Sequence, residues 1–232
     1  IHPFETPPSQ RIFLELKSIL QEEEPIRALE RMDEYGLFGL ISPKIKFTDE
    51  VKNVLKEIKG ILAWFDLLYL DVTYEPWKVY FLGLTSFLSD DEFSGLAESM
   101  QIQGKETINI ISYRKELKNA LQELSGPRSR KNYFLYGILS PFPAEVLLYG
   151  MAKTKSENIK RYISTFFSKL KGTTINLQGK DLVAMGYKPG HVFKEMFERL
   201  LEAKLEGEVI TKKDEVEFIK KTFGNLLDNN PS

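Results

Sequence analysis

The chain has 232 residues, 42% of them apolar, so it can bury a sizeable core and does not read as disordered. It contains no cysteine and only His2 and His191, which removes disulfides, thiol nucleophiles and cysteine–zinc sites and leaves little imidazole chemistry. The net charge of −1 conceals a local excess. Between Met151 and Lys194 nine Lys or Arg stand against Glu157 and Asp181, about +7 by residue count, and such sign asymmetry points to a polyanionic partner.

No stretch reaches the length of an apolar membrane span, and no basic-then-apolar leader opens the chain, so no membrane partner is expected. Ile1-His2-Pro3-Phe4 reads as a cut within a longer protein, and the cytoplasm is the default compartment.

Taken in order, the elements are mostly helical by period. Ile12, Phe13, Leu16, Ile19 and Leu20 define a first helix with Ser9 as N-cap after Pro7-Pro8. Pro25 starts a second helix that Gly36 ends, and Leu37 to Pro43 is a hydrophobic connection. A helix from about Asp49 carries Val51, Val54, Leu55, Ile58 and Leu62. Further helices are predicted over 77–87, 90–99, 107–124, 130–139, 143–153 and 156–170. Strand signals are few and short, 71–74 and 173–176 being the best. The aromatic residues fall on apolar faces at helical spacing and read as core. The boundaries predicted are 1–46, 47–170 and 171–232.

The search for catalytic groups is negative. Asp90-Asp91-Glu92 could in principle hold a cation, but adjacent residues diverge on a helix and acids favour a helix start, so they read as capping. Ser125 has no histidine nearby to act as base, and no phosphate-cradling glycine motif is present. Asp66 and Asp71 lack a partner motif, and Glu22-Glu23-Glu24 is a solvated loop. Arg128-Ser129-Arg130-Lys131 is a second basic cluster that a solvated face explains.

The C-terminal part is more informative. Gly179 to Met185 is a short helix, Gly186 sits where a left-handed C-terminal residue is needed, and Pro189-Gly190 turns the chain into a long amphipathic helix. Val192, Phe193, Met196, Phe197, Leu200 and Leu201 give that helix its apolar stripe. Glu206-Gly207 stops it, and Thr211 caps a final helix from Lys212. A helix start presents unpaired N–H groups and partial positive charge, and this one is flanked by Lys188, His191 and Lys194, which suits a backbone phosphate. Lys180, Lys169, Lys171 and the backbone at Gly190 complete the candidate nucleic-acid-binding set.

These residues carry a resemblance. Gly179, Asp181, Leu182, Gly186, Pro189, Gly190 and Phe193, followed by Leu200-Leu201, Ala203, Leu205, Gly207, Val209 and Thr211, resemble the C-terminal tail of class II tRNA nucleotidyltransferases and the related bacterial poly(A) polymerases. Ser9-Gln10-Arg11-Ile12 through Leu16 is similar to that family's neck helix, with Gln10 where Glu is usual. Ala28-Leu29 through Gly36-Leu37 and Ile41-Ser42-Pro43 resembles the segment that follows. Residues 47–170 match no motif. The resemblance implies an all-α neck, body and tail arrangement with few short extended segments. It also implies that the last two parts hold the tRNA acceptor and TΨC arm, with Arg11 supporting a nucleotide pocket. The family's metal-binding D-x-D and base-selecting E-D-x-x-R motifs are absent, so Mg2+ and nucleotide addition are expected of a head domain elsewhere, and this part is expected to be inactive alone and to need no cofactor. Two other readings stand beside it: a helical protein-interaction scaffold, and a helix-turn-helix over Lys180–Leu205, which Glu195, Glu198 and Glu202 oppose by repelling DNA.

Overall fold

In the computed structural model the described residues are 9–100, 102, 105–126 and 131–228. His2, Pro7-Pro8, Arg128–Arg130 and the tail from Asn229, all noted in the sequence, lie outside them. Among the described residues every regular element is helical, so the fold is all-α. The chain divides into two compact units, one running to Ser125 and resuming over Pro141–Ile163, the other comprising Gly126–Ser140 and Ser164 onward.

The first unit contains α1 (Ser9–Leu20), α2 (Pro25–Glu34), α3 (Phe38–Ile41), α4 (Asp49–Asp66), α5 (Pro76–Leu84), α6 (Asp90–Ser99), α7 (Lys105–Leu124), α9 (Ala144–Lys153) and most of α10 (Glu157–Thr165). Its starts follow the expected punctuation. Pro25 occupies the first position of α2, and Gly36, at φ 65°, ends it with Leu37 N donating to Met32 O. Ser89 and Glu92 form a capping box at α6, as the acidic run suggested. The connection after Gly36 contains the extra turn α3, because Phe38 packs against Phe47, ring centres 5.3 Å apart.

The middle of this unit is α5 and α9, which pack on each other and on α4. Both are apolar nearly all round and are buried on nearly all sides, as such helices must be. Leu55, Ile58, Val79, Leu147 and Leu148 are wholly inaccessible. Gly83 permits the approach of α5 to α4, since a Cβ there would meet Ile58 Cδ1 and Leu55 Cδ2.

The second unit holds α8 (Asn132–Leu139), a π-helical turn (Phe166–Leu170) continuing α10, then α11 (Gly179–Ala184), α12 (His191–Leu205), α13 (Lys212–Phe223) and α14 (Asn225–Asp228). The expected C-terminal module is thus the larger part of a unit that also draws in residues 126–140. The joint is reciprocal: Asn132 Nδ2 donates to Leu205 O at the end of α12, and Glu206 Oε1 accepts from Tyr133 N at the start of α8. Leu182, Tyr187, Met196, Leu200, Val209 and Ile219 form the core.

Neither strand candidate joins a sheet, and donors in or beside each are taken up by other partners. Near the first, Tyr74 Oη donates to Asp66 Oδ1 and Glu75 N to Glu145 Oε1. In the second, Asn176 N and Leu177 N donate to Glu215, at 3.0 and 2.8 Å from Oε2. Asn176 Nδ2 and Lys204 Nζ also donate to Glu215, whose side chain is fully buried. Burial alone would raise the pKa of this carboxyl. The Lys204 ammonium and the Asn176 and Leu177 amides outweigh it and hold the value below the usual carboxylate range.

Two outcomes follow from this packing. Glu215→Gln leaves Lys204 buried without its anion, and denaturant unfolding should show a loss of about 3 kcal/mol. Because the folded pKa is depressed, the wild-type contribution is complete above the unfolded carboxyl pKa and disappears as pH falls through the folded value, so the gap between wild type and variant should close in acid. Gly83→Ala overpacks the α4–α5 contact and should cost about 1–3 kcal/mol in the same measurement.

Candidate nucleic-acid interface

The starts of α11, α12 and α13 follow one another in the tail, and they are not equivalent. At α11, Gln178 N donates to Asp181 Oδ2 at 2.7 Å, and Asp181 lies 3.5 Å from Lys212 Nζ. That amide bond, with the Lys212 charge, lowers the pKa of Asp181, so the start of α11 already has its anion. At α13, Thr211 and Asp214 complete a capping box. At α12 the N-cap is Gly190, and no side chain caps the helix. Phe193 N is taken by Gly190 O at 3.0 Å, while His191 and Val192 open the helix with no hydrogen bond to their amides among the described residues. The uncapped start is the one flanked by cations.

Local sequence builds this start. Gly186, at φ 97°, turns the chain out of α11, with Tyr187 N donating to Leu182 O and the Tyr187 ring buried. Lys188, Pro189 and Gly190 are then exposed as α12 begins. A Cβ at Gly179 would lie 3.8 Å from the Phe193 ring, which places the start of α11 against the first turn of α12. Lys180, exposed, follows Gly179 directly. His191 is exposed, and Lys194, one turn along, is 82% exposed with only a long i,i+4 pairing to Glu198 at 3.8 Å. Gly190 itself is extended and its Cβ position is open, so the fold does not demand glycine there.

Other members of the candidate set belong to other elements. Lys169 and Lys171 sit at the C-terminal end of the π-helical turn, where cations offset the helix dipole, and Lys171 Nζ lies 5.7 Å over the Phe166 ring. Arg11 is exposed on α1, in the first unit. The basic run that sequence presents as one segment is divided between the units. Lys160 pairs with Glu157 and Glu57, and Lys153 lines a cavity of the first unit together with Arg114, Lys115 and Lys118. Those three were not singled out by sequence; their spacing along α7 is the signal that marks them. Glu198 and Glu202, the acids that oppose a helix-turn-helix, pair with Lys194 and Arg199 within α12. Among the described residues no group of three or more His, Asp or Glu is placed to hold a metal.

Residues 5–48 match a family model described as the probable RNA and SrmB-binding site of polymerase A. The chain is similar to an A-adding tRNA nucleotidyltransferase of Geobacter sulfurreducens, 36% identical over 214 residues, covering 89% of this chain and 24% of that protein. Its fold is similar to the Thermotoga maritima CCA-adding enzyme complexed with tRNA (TM-score 0.69, 19% identity, 92% of this chain and 51% of that one). It is also similar to a tRNA-processing enzyme in its apo form I (TM-score 0.67, 23% identity, 86% and 49%). The chain thus spans about a quarter of the curated relative (24%) and about half of these structures (51% and 49%). Together with the neck-like and tail-like motifs at its two ends, these likenesses support a C-terminal region of the tRNA nucleotidyltransferase and poly(A) polymerase family.

Proposed function

We propose that this region holds the acceptor and TΨC arm of tRNA so that a head domain elsewhere in the protein can add nucleotides at the 3′ end. The observation that carries this reading is the uncapped start of α12, set among Lys188, His191 and Lys194 beside the start of α11 with Lys180. Double-stranded RNA is recognised chiefly by shape and through phosphate and 2′-hydroxyl contacts, and N–H groups of a helix start with cations beside them provide phosphate contacts without reading sequence. In this account residues 1–46 act as the neck, 47–170 as the body and 171–232 as the tail. Arg11 supports the nucleotide pocket from the neck, and Lys169 and Lys171 contribute long-range attraction. Mg2+ and the chemical step belong to the head, and the working compartment is the cytoplasm.

The test is titration of the chain with an acceptor–TΨC minihelix and with duplex DNA of equal length at two salt concentrations. Tighter, salt-sensitive binding of the minihelix is expected. Lys188→Glu/Lys194→Glu should weaken it about tenfold or more and flatten its salt dependence by roughly one unit of slope per lost phosphate contact. Gly190→Ala, which the fold tolerates, should weaken binding without lowering stability, because a methyl group would stand where the phosphate approaches. A scaffold would bind both duplexes equally or not at all and would be indifferent to the lysine reversals.

A further inference from the structure

The first unit has a cavity of about 530 Å3 at the C-terminal end of α5, walled by α6, α7 and α9. Its lining includes four cations, Arg114, Lys115 and Lys118 from α7 and Lys153 from the end of α9, and three leucines, Leu88, Leu117 and Leu121. The opposing charge is Asp90, 3.7 Å from Arg114 Nε.

The charge on these cations is largely uncancelled. Arg114 donates through Nη1 and Nη2 to the carbonyls of Thr85 and Leu88, and Lys153 Nζ donates to Ser86 O at 2.7 Å. These carbonyls, in the turn between α5 and α6, fix the two side chains without neutralising them. Lys153 also lies 5.7 Å over each of the Phe87 and Tyr149 rings. Desolvation of its ammonium, and then repulsion from Arg114 and Lys118, lowers its pKa, a strain that a bound anion would relieve. Bracing of the α5–α6 turn accounts for Arg114 and Lys153. It does not account for exposed Lys115 and Lys118, for which no ion pair occurs among the described residues, nor for the open volume.

A second observation is independent of charge. Ser86 lines the cavity and is 3% exposed, yet its hydroxyl has no hydrogen-bond partner among the described residues. A buried polar group without a partner is uncommon and marks a place where a ligand or water completes the site.

We propose that this cavity binds a nucleotide unit, its phosphate among Lys115, Lys118 and Lys153 and its base against the lining leucines. The size is that of a small-molecule site, far larger than a bare phosphate needs. The same chemistry is carried by a free mononucleotide and by a residue of a single-stranded RNA, and the experiment separates them. The site lies within the first unit and does not rest on the tail reading.

The full chain is titrated with adenosine 5′-monophosphate and with a single-stranded hexanucleotide, as wild type, as Lys115→Glu/Lys118→Glu and as Lys118→Gln. All three proteins are checked by circular dichroism. Saturable binding of either probe that falls at least tenfold in the double variant, and measurably in Lys118→Gln, is expected. Binding of the mononucleotide identifies the free nucleotide as a source; binding of the hexanucleotide alone identifies the strand. Failure of both probes to bind, or binding undiminished in folded variants, overturns the proposal.

Discussion

The buried carboxylate of Glu215 organises the tail. It sits on α13 with no accessible surface, and it receives the Lys204 ammonium from α12 and the amides of Asn176 and Leu177 from the segment leading into α11. Three pieces of chain distant in sequence are therefore held at one point. Desolvating a carboxylate carries a penalty of several kcal/mol, which is recovered only when geometry and additional hydrogen bonds are both good. Here the four donor groups surrounding it meet that requirement. The consequence for function is positional: α11 is launched from Leu177, α12 carries Lys204, and the start of α12 lies against Gly179.

Within this frame the chain satisfies its own helix starts selectively. Asp181 and Asp214 are local anions that neutralise α11 and α13, and both have lowered pKa values because backbone amides donate to them. Sequence instead concentrates the one vacancy at Gly190, with a proline before it to fix the turn and a histidine and lysines around it. With glycine as N-cap, the missing side-chain cap forgoes only about a few tenths of a kcal/mol, so the open start costs the fold little.

Much of this was legible in the sequence, because the signals are local. Pro25, Gly36, Ser89 with Glu92, Gly186, Gly207 and Thr211 mark turns and caps by their own backbone chemistry, and the helices end where those residues sit. The cluster of Lys188, Gly190, His191 and Lys194 was legible for the same reason, since seven consecutive positions contain it. What escaped depends on distant partners. Residues 173–176 have strand-like composition, and only the buried Glu215, some forty positions later, shows that their donors go to a carboxylate. The π-helical turn at Phe166–Leu170 leaves no periodic signal distinct from the helix before it. The addition of Gly126–Ser140 to the tail unit rests on the Asn132 and Glu206 contacts across more than seventy residues. The α7 cations became visible only when α9 brought Lys153 to the same cavity.

The central claim is that the vacant start of α12 seats a phosphate of structured RNA. The most direct measurement is the backbone amide spectrum of the chain as an acceptor–TΨC minihelix is added. The account predicts that the His191 and Val192 amides move first and furthest, while the capped amides at Gln178 and Asp214 stay in place. Shifts confined to other surfaces, with His191 and Val192 unmoved at saturation, would contradict it.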